Sequence, residues 1–110
     1  MSKISQDAAK ALHHGMIFNR GNTTVQGVFT PLGMSWEMRL HGNLIAQLTP
    51  VKETPNPYEP PQILLLVSTC GYDTQTTRSR LNALSGVHVQ KIRGVLHLNG
   101  EPWDGESIAV

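Results

Sequence analysis

The stretch that decides the fold runs from Cys70 to Leu84 and reads CGYDTQTTRSRLNAL. The threonines near its start can cap a helix, because their hydroxyls accept from backbone N–H groups of the first turn. Thr77, Leu81 and Leu84 recur at the spacing of one helical face. An apolar run precedes this stretch and a second β-like segment follows it. The pattern therefore predicts a helix over about residues 74–85 that packs on a sheet through Leu81 and Leu84.

A hairpin is predicted before this helix, where apolar and polar residues alternate on both sides of His41–Asn43. Two registers are open. A two-residue Gly42-Asn43 turn would place Met38 opposite Gln47. A three-residue His41–Asn43 loop gives the pairs Leu40–Leu44, Met38–Ala46 and Trp36–Leu48. The second register puts every large apolar group on one face and is favoured for that reason.

Further strands complete a sheet. Thr23–Phe29 is rich in β-branched residues, and Ile63–Val67 is apolar at every position, which predicts a central strand buried on both faces. Residues 87–98 predict a second hairpin around Arg93-Gly94, with Val89 opposite Leu98 and Lys91 opposite Leu96. The predicted class is α+β: an antiparallel-rich sheet of hairpins with one main helix (about 74–85) packed on one face and a short N-terminal helix.

The 110 residues are enough for a single domain, 1–110. Residues 1–20 are expected to form an N-terminal extension, with a short helix over 5–14 that Gly15 ends and whose thin apolar face predicts fraying. Residues 50–61 form a proline-rich loop, read either as a connector or as a docking segment. Residues 101–110 are expected to be a tail that Trp103 pins to the core.

The composition excludes several functional classes. Charged residues make up 15% of the chain, and the net charge is +1 with a pI near 8.0, so phosphate binding would need a local patch. No apolar stretch reaches the length of a membrane span, and the N-terminus lacks the apolar core of a signal peptide. Cys70 is the single cysteine. A chain with one cysteine is most simply expected in a reducing cytoplasm.

The start of the 74–85 helix is the candidate binding site. Exposed N–H groups and nearby arginines favour an anion there, which predicts a contact at Thr74, Thr76, Arg78 and Arg80. The turn that carries Lys91 and Arg93 is predicted to join this surface. The alternative is a well-capped helix with solvated arginines, in which Arg80 bridges to an acidic neighbour such as Asp73.

Catalytic and metal sites are not predicted. Cys70 follows the apolar strand and has no base beside it by local spacing, so a buried, inert thiol is expected. No set of cysteines, histidines or carboxylates has metal-site spacing, and no nucleotide-binding fingerprint occurs. The chain is therefore expected not to be an enzyme and to need no cofactor.

The block from Leu66 to Leu84 resembles a recurrent pattern in small bacteriophage proteins, Gly-aromatic-x-Thr-x-Thr-Thr-x-x-Arg-Leu-Asn-x-Leu. The similarity spans roughly residues 38 to 105, and the chain departs from the pattern in its proline-rich insertion and its N-terminal extension. No catalytic residue can be carried over from this group. The resemblance implies phage origin and a role in the cytoplasm of the infected host cell.

Two functions follow from these expectations. The first is a small binding or accessory protein that contacts a host or phage protein. The second is a nucleic-acid-binding accessory protein that uses the cations at positions 78, 80, 91 and 93. Because the net charge is only +1, the protein partner is favoured over a duplex.

Overall fold

The computed structural model describes residues 2–52, 58 and 62–110. Residues 50–52 of the predicted proline-rich loop 50–61 instead end the fourth strand, and apart from Tyr58 the rest of that stretch lies outside the described residues. The elements are α1 (Lys3–His14), β1 (Phe18–Arg20), β2 (Thr23–Thr30), β3 (Gly33–Leu40), β4 (Asn43–Lys52), β5 (Gln62–Val67), α2 (Gln75–Asn82), β6 (Val89–Ile92), β7 (Val95–Leu98), β8 (Glu101–Pro102) and β9 (Ile108–Ala109).

The strands form two antiparallel sheets. The larger has the order β1-β2-β3-β4-β5-β9, and the smaller has the order β6-β7-β8. A row of small and medium apolar residues crosses the large sheet on the face that the helices cover, because cross-strand pairing places them opposite one another: Val25, Met38, Ala46 and Val67. The predicted α+β class with an antiparallel-rich sheet is confirmed.

The first hairpin has the favoured pairing over most of its length. Trp36 lies opposite Leu48 and Met38 opposite Ala46. The predicted Leu40–Leu44 pair is wrong, because the turn is a two-residue His41-Gly42 turn that places Leu40 opposite Asn43. A bulge at Ile45 absorbs the difference, and both Ile45 and Ala46 are buried.

The second hairpin has the predicted register, with Val89 opposite Leu98 and Lys91 opposite Leu96. The prediction for Ile63–Val67 is wrong in one respect. Leu65 and Val67 are buried on one face, whereas Leu64 and Leu66 on the opposite face are only half-buried, and Ile63 near the start of the strand is 53% exposed. β5 therefore alternates as a strand that is covered on one face only, since the helices lie on a single side of the sheet.

The N-terminal helix is longer and better packed than predicted. It begins at Lys3, after Ser2, whose side chain accepts from the backbone N–H of Ser5. Its buried face consists of small residues and one leucine: Ala8, Ala9, Ala11 and Leu12. The alanines allow close approach, and α1 packs against β2, β3 and the second helix. The apolar face is thin, as predicted, but it is close-fitting because its side chains are small.

The second helix is shorter than the predicted 74–85 span. α2 ends at Asn82, and Leu84 is buried just beyond it, together with Thr77 and Leu81 inside the helix. α2 packs mainly beside α1 and reaches β4 and β6. The longer α1 therefore covers most of the sheet, and α2 closes one end of the core.

Residues 101–110 are more ordered than a tail. β8 pairs with β7, and β9 pairs with β5 as an edge of the large sheet. Between them, the carbonyl of Gly105 accepts from the backbone N–H of Thr69 at 2.9 Å. Trp103 packs against the core, in line with the expectation that it anchors this segment.

Candidate functional site: a cationic groove beside α2

The start of α2 is fixed by its cap. Thr74 has an extended backbone, and its Oγ1 accepts from the N–H of Thr77 at 3.1 Å and bonds the Thr77 hydroxyl at 2.9 Å. Thr74 is exposed, whereas Thr77 is 1% exposed. Thr74 is therefore the N-cap, in line with the prediction that a threonine near the start of this stretch caps the helix.

Two of the predicted cations meet at one carboxylate. Arg78 Nη1 lies 2.7 Å from one oxygen of Asp73, and Lys91 Nζ lies 2.9 Å from the other. The hydrogen bond from Lys91, assisted by that from Arg78, holds the pKa of the Asp73 carboxyl below its usual value, although partial burial acts in the opposite direction. Asp73 thus links the loop before α2 to strand β6.

A second link sets the position of β6. The side chain of Asn82, at the end of α2, donates to the carbonyl of Val89 at 2.8 Å and accepts from the N–H of the same residue. An amide side chain therefore continues the hydrogen bonding of a strand edge. This contact holds the first residue of β6 beside α2 and brings Lys91 to Asp73.

Arg80 differs from the prediction. It is 6% exposed rather than solvated, and it does not bridge to Asp73. Its Nε donates to Thr23 Oγ1 at 2.9 Å, and its Nη1 donates to Ser5 Oγ at 2.6 Å. Longer bonds reach Ser2 and Asn22. The physical reason is that α1 and β2 enclose this face of α2 and supply hydroxyl acceptors.

The guanidinium of Arg80 has no carboxylate partner among the described residues, because its acceptors are hydroxyls and one amide oxygen. Burial lowers its pKa from the ordinary arginine value, but an arginine remains charged in proteins. Within the described part of the chain, this buried positive charge is therefore bonded by neutral acceptors and not by an anion.

A groove with a volume of about 890 Å³ lies between α2, β6 and the start of α1. Three cations line it, Arg78, Arg80 and Lys91, and no acidic residue lines it in the part of the chain that the structure describes. The other lining residues are mainly hydroxyl and amide side chains. We call this surface the cationic groove.

The six predicted site residues are divided between neighbouring features. Thr76, Arg78, Arg80 and Lys91 line the cationic groove, whereas Thr74 lines a second pocket on the other side of Thr76. Arg93 is exposed at the β6–β7 turn and lines neither feature.

The sequence prediction missed Asp73 as a member of the site, and it missed Ser2, Ser5 and Asn22. For Ser2 and Ser5, the only local signal in the sequence was a capping serine three residues before a second serine.

Cys70 is exposed, so the expectation of a buried thiol is wrong. The chain leaves the sheet after Val67, and Cys70 lies in the turn that follows, with a left-handed φ of 54°. Its Sγ donates to the carbonyl of Leu44 at 2.7 Å. Across the described residues, no three histidine, cysteine or carboxylate side chains lie close enough to hold a metal ion.

The fold and the groove define a small α+β protein with a localised cationic surface on an almost neutral chain. Residues 1–104 match the family model described as Kyanoviridae Gp96 protein, and the chain belongs to this family of bacteriophage proteins. The match includes the N-terminal segment that contributes α1. No curated protein and no solved structure matches the chain. In the described residues, no helix is long and apolar enough to cross a membrane.

Proposed function

We propose that this phage protein is an accessory protein that binds an acidic segment of a host or phage protein in the cationic groove. One observation carries this role: three cations line the groove, and among the described residues Asp73 is the one carboxylate that pairs with any of them. Carboxylates are the protein groups that such a surface favours, because each can accept charge-assisted hydrogen bonds from arginine and lysine. The action is binding, and we place it in the cytoplasm of the infected cell.

The electrostatic balance supports an anionic partner. Asp73 neutralises one charge of the Arg78–Lys91 pair, and no carboxylate of the described residues pairs with Arg80. Three cations against one carboxylate leave an excess of two positive charges at the groove. An entering carboxylate would take over part of the ion pairing that Asp73 provides. It would also offset the positive charge of Arg80 across the intervening hydroxyl groups.

Two features favour a protein over a nucleic acid. The net charge of +1 gives little attraction for a polyanion beyond the groove itself. In addition, the lining of the groove contains no aromatic side chain on which a base would stack. The alternative is a nucleic-acid-binding role for Arg78, Arg80, Lys91 and Arg93. Its support is the exposed position of Arg93 two residues after Lys91, which would extend the cationic surface along β6.

Fluorescence anisotropy with a short Glu-rich peptide tests the proposed role directly. The variant Lys91→Gln removes one groove cation, and Lys10→Gln removes the same charge from an exposed position of α1 outside the groove. We expect Lys91→Gln to weaken peptide binding about threefold to fivefold and Lys10→Gln to leave it unchanged. Equal effects of the two variants would mean that only net charge matters and that the groove is not the site.

A labelled single-stranded oligonucleotide separates the two functions. If the partner is nucleic acid, the oligonucleotide binds more tightly than the peptide, and its affinity falls steeply with salt because counterions are released. Capture from infected cells with tagged protein, after nuclease treatment and compared between the two lysine variants, then identifies the natural partner.

A further inference from the structure

A second pocket, of about 460 Å³, adjoins the cationic groove; Thr76 lines both, and His41 lines the second pocket. The pocket lies between the β3–β4 turn and the loop that leads into α2. Its apolar wall includes Leu40 and Ile45, which are 5% and 2% exposed. Tyr72 lines it too and is 58% exposed. Neither a lysine, an arginine nor an acidic residue lines the pocket in the described part of the chain.

Two of the polar side chains that line this pocket, Thr74 and Thr77, already have hydrogen-bond partners within the protein. The hydroxyls of Thr74 and Thr77 bond each other, and Thr74 also accepts from the Thr77 N–H. An apolar group that enters would therefore not leave these oxygens without a partner, and the usual cost of desolvating polar walls is reduced. The volume is within the range of pockets that bind small organic groups.

We infer that this pocket receives an aromatic side chain carried by the same acidic segment that occupies the groove. The inference rests on the proposed function and specifies its partner. Charge complementarity places the two parts of the segment: its carboxylates face Arg78 and Lys91, and its ring enters the second pocket, on the other side of Thr76, where no lysine, arginine or acidic residue of the described chain lines the wall. Tyr72 has most of its ring exposed, so a partner ring that covers it gains burial and a favourable ring–ring contact. The ligand class is thus an acidic peptide with one aromatic anchor.

The test compares two probes on the full chain. One is a Glu-rich peptide that contains a phenylalanine, and the other has serine at that position. We expect the phenylalanine peptide to bind about tenfold more tightly. Tyr72→Ala should remove most of this preference and Tyr72→Phe should retain it. Phe29→Ala removes an aromatic ring that is 87% exposed at the β2–β3 end of the sheet, and it should change nothing.

The outcomes separate this inference from the proposed function. If both peptides bind equally and Lys91→Gln weakens both, the groove function stands and the aromatic pocket is wrong. If neither peptide binds, the proposed function fails and the pocket inference fails with it. If an oligonucleotide binds more tightly than the phenylalanine peptide and depends on Tyr72, the pocket holds a base and the inference is overturned. Melting curves of the Tyr72 variants confirm that each is folded.

Discussion

Arg80 and Ser5 lie 75 residues apart in the chain, and Nη1 of Arg80 donates to Oγ of Ser5 at 2.6 Å. The same serine hydroxyl bonds Ser79 at 2.8 Å, so one buried residue of α1 contacts two consecutive residues of α2. This contact makes the N-terminal segment part of the core. It also holds the buried guanidinium of Arg80 in the wall of the cationic groove. Removing either partner should therefore affect both the stability of the fold and the field in the groove.

Arg80→Ala should lower the free energy of unfolding by about 2–3 kcal/mol, because Ser5 and Thr23 lose a charged donor at buried positions. Urea denaturation measures this change. Arg39→Ala is the matched control, since Arg39 is half-buried on the open sheet face and its ion pair with Glu37 spans 3.4 Å. It should cost about 0.5 kcal/mol. Equal losses would contradict a structural role for the buried guanidinium.

Asp73→Asn should lower stability at pH 7 by about 1 kcal/mol, because Arg78 and Lys91 lose their shared anion. The folded pKa of Asp73 lies below its unfolded value of about 3.9. The stabilisation is therefore present above that unfolded value and is lost as the pH falls through the folded pKa.

The measurement is urea denaturation of wild type and variant from pH 7 down to about pH 3, where the two curves should approach each other. Glu101→Gln is the control, since Glu101 is an exposed carboxylate with no ion pair in the described structure. A stability difference for Asp73→Asn that does not change with pH would mean that the charge of Asp73 is not the cause.

The sequence predicted those parts of the fold that depend on local alternation. Trp36 and Met38 pair with the predicted residues of β4. The reason is that apolar residues at every second position fix the register of a strand pair once one face of the sheet is apolar. The same alternation cannot show the bulge at Ile45, which depends on a two-residue turn rather than on composition. The packing of α1 was missed because its alanines add little hydrophobicity, whereas their small size is what allows close contact with the sheet.

The geometry of the candidate site follows from the sequence to a similar extent, and its binding role stays a prediction. The Thr74 cap follows from a local rule, and the approach of Lys91 to the helix follows from the second hairpin. The inward position of Arg80 could not be predicted, because a helical wheel of α2 contains no information about α1 beside it. A residue on the flank of an apolar stripe is exposed or buried according to a neighbour that is distant in the chain.

Arg93→Asn should stabilise the protein by about 0.5 kcal/mol, because Arg93 occupies a left-handed position, with φ of 51°, in a two-residue turn before Gly94. Asparagine tolerates this conformation better, and the chain itself has Asn99 before Gly100 in the following turn. His41→Asn tests the same effect without removing an arginine. Thermal melts of both variants provide the measurement. A lower melting temperature for Arg93→Asn would show that Arg93 makes a stabilising contact.

Gly105→Ala and Gly100→Ala form a matched pair, because both glycines have φ of 87°. A Cβ at Gly105 would collide with Oγ1 of Thr69, whereas nothing lies within 4 Å of a Cβ at Gly100. Both variants should lose about 1 kcal/mol to backbone strain, and Gly105→Ala should lose about 1–3 kcal/mol more to crowding. Urea denaturation of the two variants measures the difference. Equal losses would mean that residues near Gly105 are not held against Thr69, and that the C-terminal segment is only loosely attached to the large sheet.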